Sequence, residues 1–200
     1  MQYSEDLFST KNNLLPIYGE VYYFPSFFKE SHADLYFEQL SREVNWKQEP
    51  IKIFGKTLMQ PRLTAWFGSK DYSYSGITMH AAPFNRTLLK IKDKIESASG
   101  ENFNSALLNL YRDGQDSMGW HRDNEKELGL NPVIASLSLG ATRQFRLRNY
   151  KDKKTVVSTE LENGSLLLMR GETQHYWEHS LSKTSTIKGP RINITFRYIK

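Results

Sequence analysis

His121-Arg122-Asp123 sets an imidazole and a carboxylate two positions apart. On extended backbone alternate side chains point the same way, so the two groups can face one point. Two ligands make a poor metal site, but a third histidine is available downstream, either His175 or His179, the latter 58 residues after His121. Two histidines and one carboxylate on one side of a metal, with the other positions open, make the facial triad of non-haem Fe(II) centres. A hydrogen-bonded core histidine beside a chance carboxylate would give the same spacing, so the spacing alone does not decide. Five histidines and no cysteine exclude disulfide scaffolds, thiol nucleophiles and cysteine-ligated zinc or iron–sulfur sites. His-Arg-Asp also opens the kinase catalytic loop, which needs Asn five positions after the Asp. That position is Leu128, and the sequence has no Gly-rich nucleotide loop, so the kinase reading fails.

A second constellation lies downstream. Arg191, Asn193, Thr195 and Arg197 fall on one face of a strand, and Ile192, Ile194 and Phe196 on the other. An edge strand with a wet polar face is ordinary in an antiparallel sheet. Inside a barrel, the same face would carry two guanidinium groups into the lumen, where they need anions. A dicarboxylate fits, because guanidinium binds carboxylate through paired charge-assisted hydrogen bonds. Asn109 and Tyr111, alternating on a strand over 106–111, would add neutral polar contacts if that strand lies nearby.

The elements that must position these groups follow from periodicity. Residues 1–20 read as a loose lead-in and Val21–Phe24 as a short strand. A helix over Ser31–Val44 is expected from Tyr36, Leu40 and Val44, with Ser31 and Asp34 spaced as a capping box. A second helix follows Pro83, with Phe84, Leu88, Ile91 and Ile95 as its stripe and Gly100 as its stop. Ile51–Gly76 reads as short strands and turns. Strands then dominate: 106–111, 134–139, a stretch around Phe145 and Leu147, Thr155–Val157, Ser165–Met169 and Arg191–Tyr198, with Tyr150–Lys154 as a charged turn. Many short strands with turn signals between them suggest a barrel or sandwich.

The 200 residues favour a single domain. With 27 Lys+Arg against 22 Asp+Glu and a pI near 9.2, the chain tolerates a polyanionic partner without requiring one. No apolar run is long enough to span a bilayer, and Met1–Ser9 lacks the apolar core of a secretory signal. The expectation is an intracellular monomer with no membrane partner, cytoplasmic if bacterial and nuclear if eukaryotic.

Taken jointly, His121-x-Asp123, His179 and Arg191-x-Asn193-x-Thr195-x-Arg197, preceded by Asn109-x-Tyr111, resemble the AlkB family of Fe(II)/2-oxoglutarate-dependent dioxygenases. The two arginines follow His179 by 12 and 18 positions, matching the family pattern, and the resemblance runs from about Val21 onward. Ile53-Phe54-Gly55-Lys56, Pro61-Arg62, Tyr74-Ser75-Gly76 and His179-Ser180-Leu181 are most similar to the nuclear, duplex-DNA-repair branch. The resemblance implies an α+β, mainly β fold: a double-stranded β-helix, or jelly roll, over about 101–200, with a helix-containing N-terminal half and a nucleotide-recognition lid over about 45–80. It implies that His121, Asp123 and His179 hold Fe(II). Arg191 would pair with the distal carboxylate of 2-oxoglutarate, while Arg197, Asn109 and Tyr111 fix that cosubstrate beside Asn193 and Thr195.

The implied reaction consumes O2 and 2-oxoglutarate, hydroxylates an N-methyl group on a base such as 1-methyladenine or 3-methylcytosine, and releases formaldehyde, succinate and CO2. The implied partner is alkylated DNA, duplex or single-stranded, or RNA. The damaged base must leave its stack. Tyr74 and His121 would then sandwich it, with Tyr72 and Glu125 at its polar edge; a carboxylate there favours a cationic methylated base. Phe54 could wedge into the duplex. Arg62, Arg146, Arg148, Lys151, Lys153, Lys154 and Lys183 could form a phosphate-binding surface. One stretch departs from the branch: Ser182-Lys183-Thr184-Ser185-Thr186 replaces a basic run after the distal histidine and leaves the duplex preference open. The competing expectations are the same oxygenase chemistry on RNA, protein or a small molecule, and a non-enzymatic jelly-roll binding protein.

Overall fold

In the computed structural model, which describes residues 12–53, 56–74, 77–186 and 188–200, two antiparallel sheets face each other. The larger has six strands: β1 (Glu20–Phe24), β12 (Leu166–Arg170), β9 (Ile134–Gly140), β14 (Arg191–Arg197), β7 (Ser105–Tyr111) and β4 (Leu63–Gly68), in that spatial order. The smaller runs β11 (Val156–Leu161), β10 (Arg143–Asn149), β13 (Trp177–Leu181) and β8 (Met118–His121). Two hairpins, β2 (Pro50–Ile53) with β3 (Lys56–Met59) and β5 (Tyr72–Tyr74) with β6 (Ile77–Met79), complete the strands. This is the expected mainly β, jelly-roll-like architecture.

Alternation along the large sheet explains its two linings. Ala106 and Leu108 of β7, Leu137 and Leu139 of β9, Leu166 and Leu168 of β12, and Ile192, Ile194 and Phe196 of β14 share one buried cluster with Leu40, Leu88, Ile91 and Ile95. The last four belong to the helices α1 (Glu30–Glu43) and α2 (Arg86–Ser99), which cover that face. Each such aliphatic burial contributes about 1.5–3 kcal/mol. The opposite face meets the small sheet, where Val21, Ile134, Leu147, Leu161, Leu167, Met169 and Trp177 form a second cluster. That interior turns polar along β14, whose seven residues are all buried. A strand buried on both faces reads apolar unless one face has a ligand to bind, and here one face is polar.

α2 stops at Gly100 as read but begins only at Arg86, so Phe84 of the expected stripe lies before the helix and packs on the core from there. The Asn85 side chain accepts from the Leu88 amide at 2.8 Å, and Gly100 ends the helix at φ 73°. The α1 capping box is corrected. The helix starts at Glu30 with Lys29 at its N-cap and no side-chain cap, so Ser31 lies inside the first turn. Asp34 instead accepts from Asn163 at 2.8 Å, across to the loop before β12. β11 also extends beyond the expected Thr155–Val157, because Ser158–Leu161 continues the ladder with Arg143–Arg146. The strand β13 and the single helical turn α3 (Thr173–Tyr176) before it carry no clear period and were not expected.

Gly164 makes one tight approach. At φ +76° an added Cβ would lie 2.4 Å from the Phe28 carbonyl oxygen, whereas at Gly100, φ +73°, nothing lies within 4 Å. Both alanine variants incur the left-handed backbone cost of about 1–2 kcal/mol. Gly164→Ala should therefore lose clearly more stability than Gly100→Ala in urea titrations; equal shifts of the two midpoints would mean the loop at 164 moves aside freely.

Candidate metal centre and its cleft

The register between two neighbouring strands of the small sheet brings the triad together. β13 pairs with β8 so that His179 stands opposite His121, and the pairing slips between His179 and Leu181. The two rings are 4.2 Å apart between centroids. Asp123 lies just past the end of β8, with Oδ1 3.7 Å from His121 Nε2. One ligand atom from each of His121, Asp123 and His179 can be chosen so that all lie within 4.8 Å of one another. Of the two downstream histidines, His179 lies in this cluster, whereas His175 is exposed, with Nε2 2.9 Å from Asn131 Oδ1.

Electrostatics prepare the three groups to be ligands. Burial alone would raise the Asp123 pKa, but the Arg197 guanidinium and the two imidazoles outweigh it and hold the carboxyl at about 2. Arg197 donates to Asp123 Oδ2 at 2.8 Å. Burial lowers His179 to about 3 and also lowers His121, where Asp123 opposes the shift. Both rings are therefore neutral at pH 7, the form in which imidazole binds metal. His121 Nδ1 lies 3.0 Å from the Gly119 carbonyl; donating there leaves Nε2 as the free lone pair, the usual outer-sphere arrangement of a metal-bound histidine. Nδ1 of buried His179 has no hydrogen-bond partner among the described residues. Donor set, protonation and spacing thus fit a metal.

The triad opens into a cleft of about 680 Å³, mouth included, whose lining takes in Arg62, Asn109, Tyr111, Glu125, Ser136, Arg191, Asn193, Thr195 and Arg197. β7 neighbours β14 as hoped: Arg191 is opposite Tyr111 and Asn193 opposite Asn109. On the other side of β14, Arg191 donates to Ser138 Oγ at 2.7 Å and Asn193 to Ser136 Oγ at 2.8 Å. Thr195 Oγ1 donates to Asn193 Oδ1 at 3.1 Å. Arg191 is the anomaly. It is 2% exposed, has no carboxylate partner among the described residues, and its Nε has no hydrogen bond there. Burial pulls its pKa down to about 10, with Tyr111 opposing. A buried cation without a counter-ion is costly, so this end of the cleft is built for an anion.

Other expectations fare differently. Glu125 lines the cleft and is half-buried. Arg62 is corrected: it is no part of a phosphate-binding surface, being 5% exposed, with Nε donating to Asn109 Oδ1 at 2.8 Å inside the cleft. The segment entering β4 runs beside β7, so its side chain turns inward. Arg148 and Lys153 both bind the buried Glu178 carboxylate, and Arg148 also stacks over Trp120 at 4.2 Å. Tyr72 and Tyr74 lie in β5, but their side chains, and Phe54 altogether, fall outside the described residues. Reading the sequence missed Ser136 and Ser138, although two serines at period two within Ile134–Leu139 were a visible sign of a polar inner face. It also missed Arg143, which donates to the carbonyls of Asp113, Asp116 and Ser182 and ties together loops beside the cleft.

Residues 20–197 match the sequence profile of the 2OG-Fe(II) oxygenase superfamily. The chain belongs to that superfamily. Among its relatives, the alpha-ketoglutarate-dependent dioxygenase alkB homolog 3 of Bos taurus is 44% identical over 187 residues, covering 88% of this chain and 64% of that protein. DNA oxidative demethylase ALKBH2 of Mus musculus is 37% identical over 185 residues, covering 86% of this chain and 77% of that one. The AlkB resemblance read from the motifs agrees with both. The chain spans just under two thirds of the length of the alkB homolog 3 protein it matches. A solved structure, that of OsALKBH1, superposes with a TM-score of 0.62 at 19% identity over 88% of this chain and 97% of the other, a likeness of fold.

The shifts set a pH dependence for the metal-free chain. His179 falls from an ordinary 6.5 to about 3 on folding, so the unfolded chain takes up that proton first and stability drops as pH falls below about 6.5. Asp123, lowered from 3.8 to about 2, adds a loss of the same sign as pH falls below about 4. Melting temperatures of metal-stripped protein between pH 7 and 5 should decline less steeply in His179→Gln than in the parent. Identical slopes would mean that the ring is not held neutral.

Proposed function

We propose that this chain repairs alkylated DNA as an Fe(II)- and 2-oxoglutarate-dependent dioxygenase, removing N-methyl groups from bases such as 1-methyladenine and 3-methylcytosine. The observation that carries the reading is the pairing, in one cleft, of a two-histidine, one-carboxylate triad with a buried arginine that has no carboxylate partner among the described residues. Fe(II) on His121, Asp123 and His179 would supply the oxidising chemistry, with O2 and 2-oxoglutarate as cosubstrates and formaldehyde, succinate and CO2 as products.

The chain's own residues bind, orient and exclude water. Arg191 takes the distal carboxylate of 2-oxoglutarate, gaining the counter-ion that its burial demands. Tyr111 lies beside it, its ring centroid 5.3 Å from the guanidinium carbon. Asn109 and Asn193 line the same pocket through amide groups that bind neutral oxygens as well. Arg197 is directed at Asp123, so its part is to keep that ligand ionised and aimed. Glu125, on the cleft lining, places negative charge where a cationic methylated base would enter; Tyr72 would join it at the polar edge of that base, and Tyr74 and the His121 ring would sandwich it. No protein general base is needed, because the hydroxymethyl product on nitrogen loses formaldehyde unaided.

The support from relatives is what their names say of them: the mouse protein is a DNA oxidative demethylase, the bovine one an alpha-ketoglutarate-dependent dioxygenase. The test is anaerobic reconstitution with Fe(II) and 2-oxoglutarate, then O2 and an oligonucleotide bearing 1-methyladenine, reading formaldehyde and succinate together. Equal yields of both products are expected; succinate that does not respond to methylated DNA would move the substrate to RNA, protein or a small molecule. In the same assay Arg191→Ala should raise the 2-oxoglutarate requirement by tenfold or more, since a buried carboxylate loses its paired cation. Superimposable titrations would remove Arg191 as the anchor.

Phe54 tests the strand state. A wedge matters only where a base pair must be opened, and unstacking costs a few kcal/mol. Phe54→Ala should slow repair of a methylated duplex far more than repair of the same lesion in a single strand. Proportional losses on both, with a lowered melting temperature, would make Phe54 a packing residue instead.

A further inference from the structure

Asp123 has a weak hold on the fold for a residue that must place a ligand atom. It lies beyond the end of β8 (Met118–His121) and outside any ladder, yet is 3% exposed. Arg197 fixes one carboxylate oxygen at 2.8 Å, which leaves the backbone that carries the carboxylate to be fixed by something else. That something is a side chain 51 positions away: the Asp123 amide donates to Gln174 Oε1 at 2.9 Å, in a buried contact. Gln174 is itself 1% exposed, and its Nε2 lies 3.7 Å from Met169 Sδ, on the inner face of β12.

Gln174 belongs to α3 (Thr173–Tyr176), and each residue of that single turn holds a different segment. Thr173 Oγ1 bridges the Glu20 amide and the Arg170 carbonyl, tying the turn to β1 and β12. The His175 carbonyl accepts from Arg122 Nη1 at 3.3 Å, beside Asp123, and His175 Nε2 meets Asn131 across the following loop. The Tyr176 carbonyl accepts from the Tyr150 amide at 2.7 Å, and its ring stacks on Tyr18 at 4.6 Å. The next residues are β13, which delivers His179. The turn that leads into one proposed ligand therefore grips the loop that carries another.

We infer that Gln174 is a positioning residue for the metal centre, fixing the backbone of Asp123 so that the carboxylate and His179 keep their spacing. This rests on the reading that the triad holds a divalent metal. A purely structural role, satisfying one buried amide, would predict lost stability without a change in how the folded protein binds metal. An outer-sphere partner of a metal ligand typically changes metal affinity by 10–100-fold.

The test uses the full chain, stripped of metal and titrated anaerobically with Co(II), whose d–d absorption reports coordination geometry. Gln174→Met keeps the volume and apolar stem but removes the acceptor; Gln174→Glu keeps an acceptor oxygen at the same reach and, protonated in this buried position, a donor toward Met169. With Gln174→Met we expect a folded metal-free chain whose melting temperature falls only by what one unpaired buried amide costs, together with Co(II) binding weakened by about tenfold or more and an altered d–d spectrum. Gln174→Glu should restore most of the affinity and the parent spectrum. Parent-like affinity and spectrum in Gln174→Met would overturn the proposal whatever its melting temperature, and so would equal losses in both variants. A parent chain that binds no Co(II) would instead overturn the metal reading, and this proposal with it.

Discussion

A guanidinium taken out of water must find negative charge or forfeit several kcal/mol of hydration, and β14 takes two of them into the space between the sheets. Arg197 answers that demand within the chain, through Asp123 at 2.8 Å. Arg191 has no such partner among the described residues, where its neighbours are a serine hydroxyl, a tyrosine ring and neutral amides. The rest of the cleft follows from this difference. One arginine holds a ligand carboxylate ionised beside two neutral histidines, and the other presents an unsatisfied charge at the far side. The donor set and charges of such a cleft suit a metal and a small anion.

The same strand explains why both faces of the large sheet matter. Ile192, Ile194 and Phe196 anchor β14 against α1 and α2, so the helices on the outside fix the height of the arginines on the inside. The hydrophobic packing and the charged lining are alternate residues of one strand. A one-residue slip in its pairing with β7 or β9 would turn the guanidinium groups onto the helices, and the apolar stripe is thus also what specifies the site.

How far the sequence could be read depended on whether a signal was local. The β14 alternation, the His121-x-Asp123 spacing and the Leu88, Ile91 and Ile95 stripe of α2 with Gly100 after it are written in neighbouring residues, and each stands in the structure as read. The choice between His175 and His179 was not local, because it depends on the register of β13 with β8 and on the unpatterned turn α3. Arg62 misled for a similar reason: an arginine in a Gly- and Pro-rich stretch looks solvated until β4 is known to pair with β7. Ser31 and Asp34 had the right spacing for a cap, but the helix begins one residue earlier and Asp34 serves a loop 129 positions away.

β14 is the last of the described strands in order of sequence and stands in the interior of the six-stranded sheet, with β9 on one side and β7 on the other. Until it arrives, the sheet is two fragments, β1-β12-β9 and β7-β4, each with an open edge of unpaired amides and carbonyls. Synthesis from the N-terminus therefore makes all three proposed ligands before it makes the strand that welds the sheet and brings both arginines. A ribosome-bound chain at that stage would have its histidines in place in sequence but no Arg197 to keep Asp123 charged, and two sticky edges to shield. Assembly is thus a late, non-local event of the slow kind, and the centre is completed by the segment that also closes the fold.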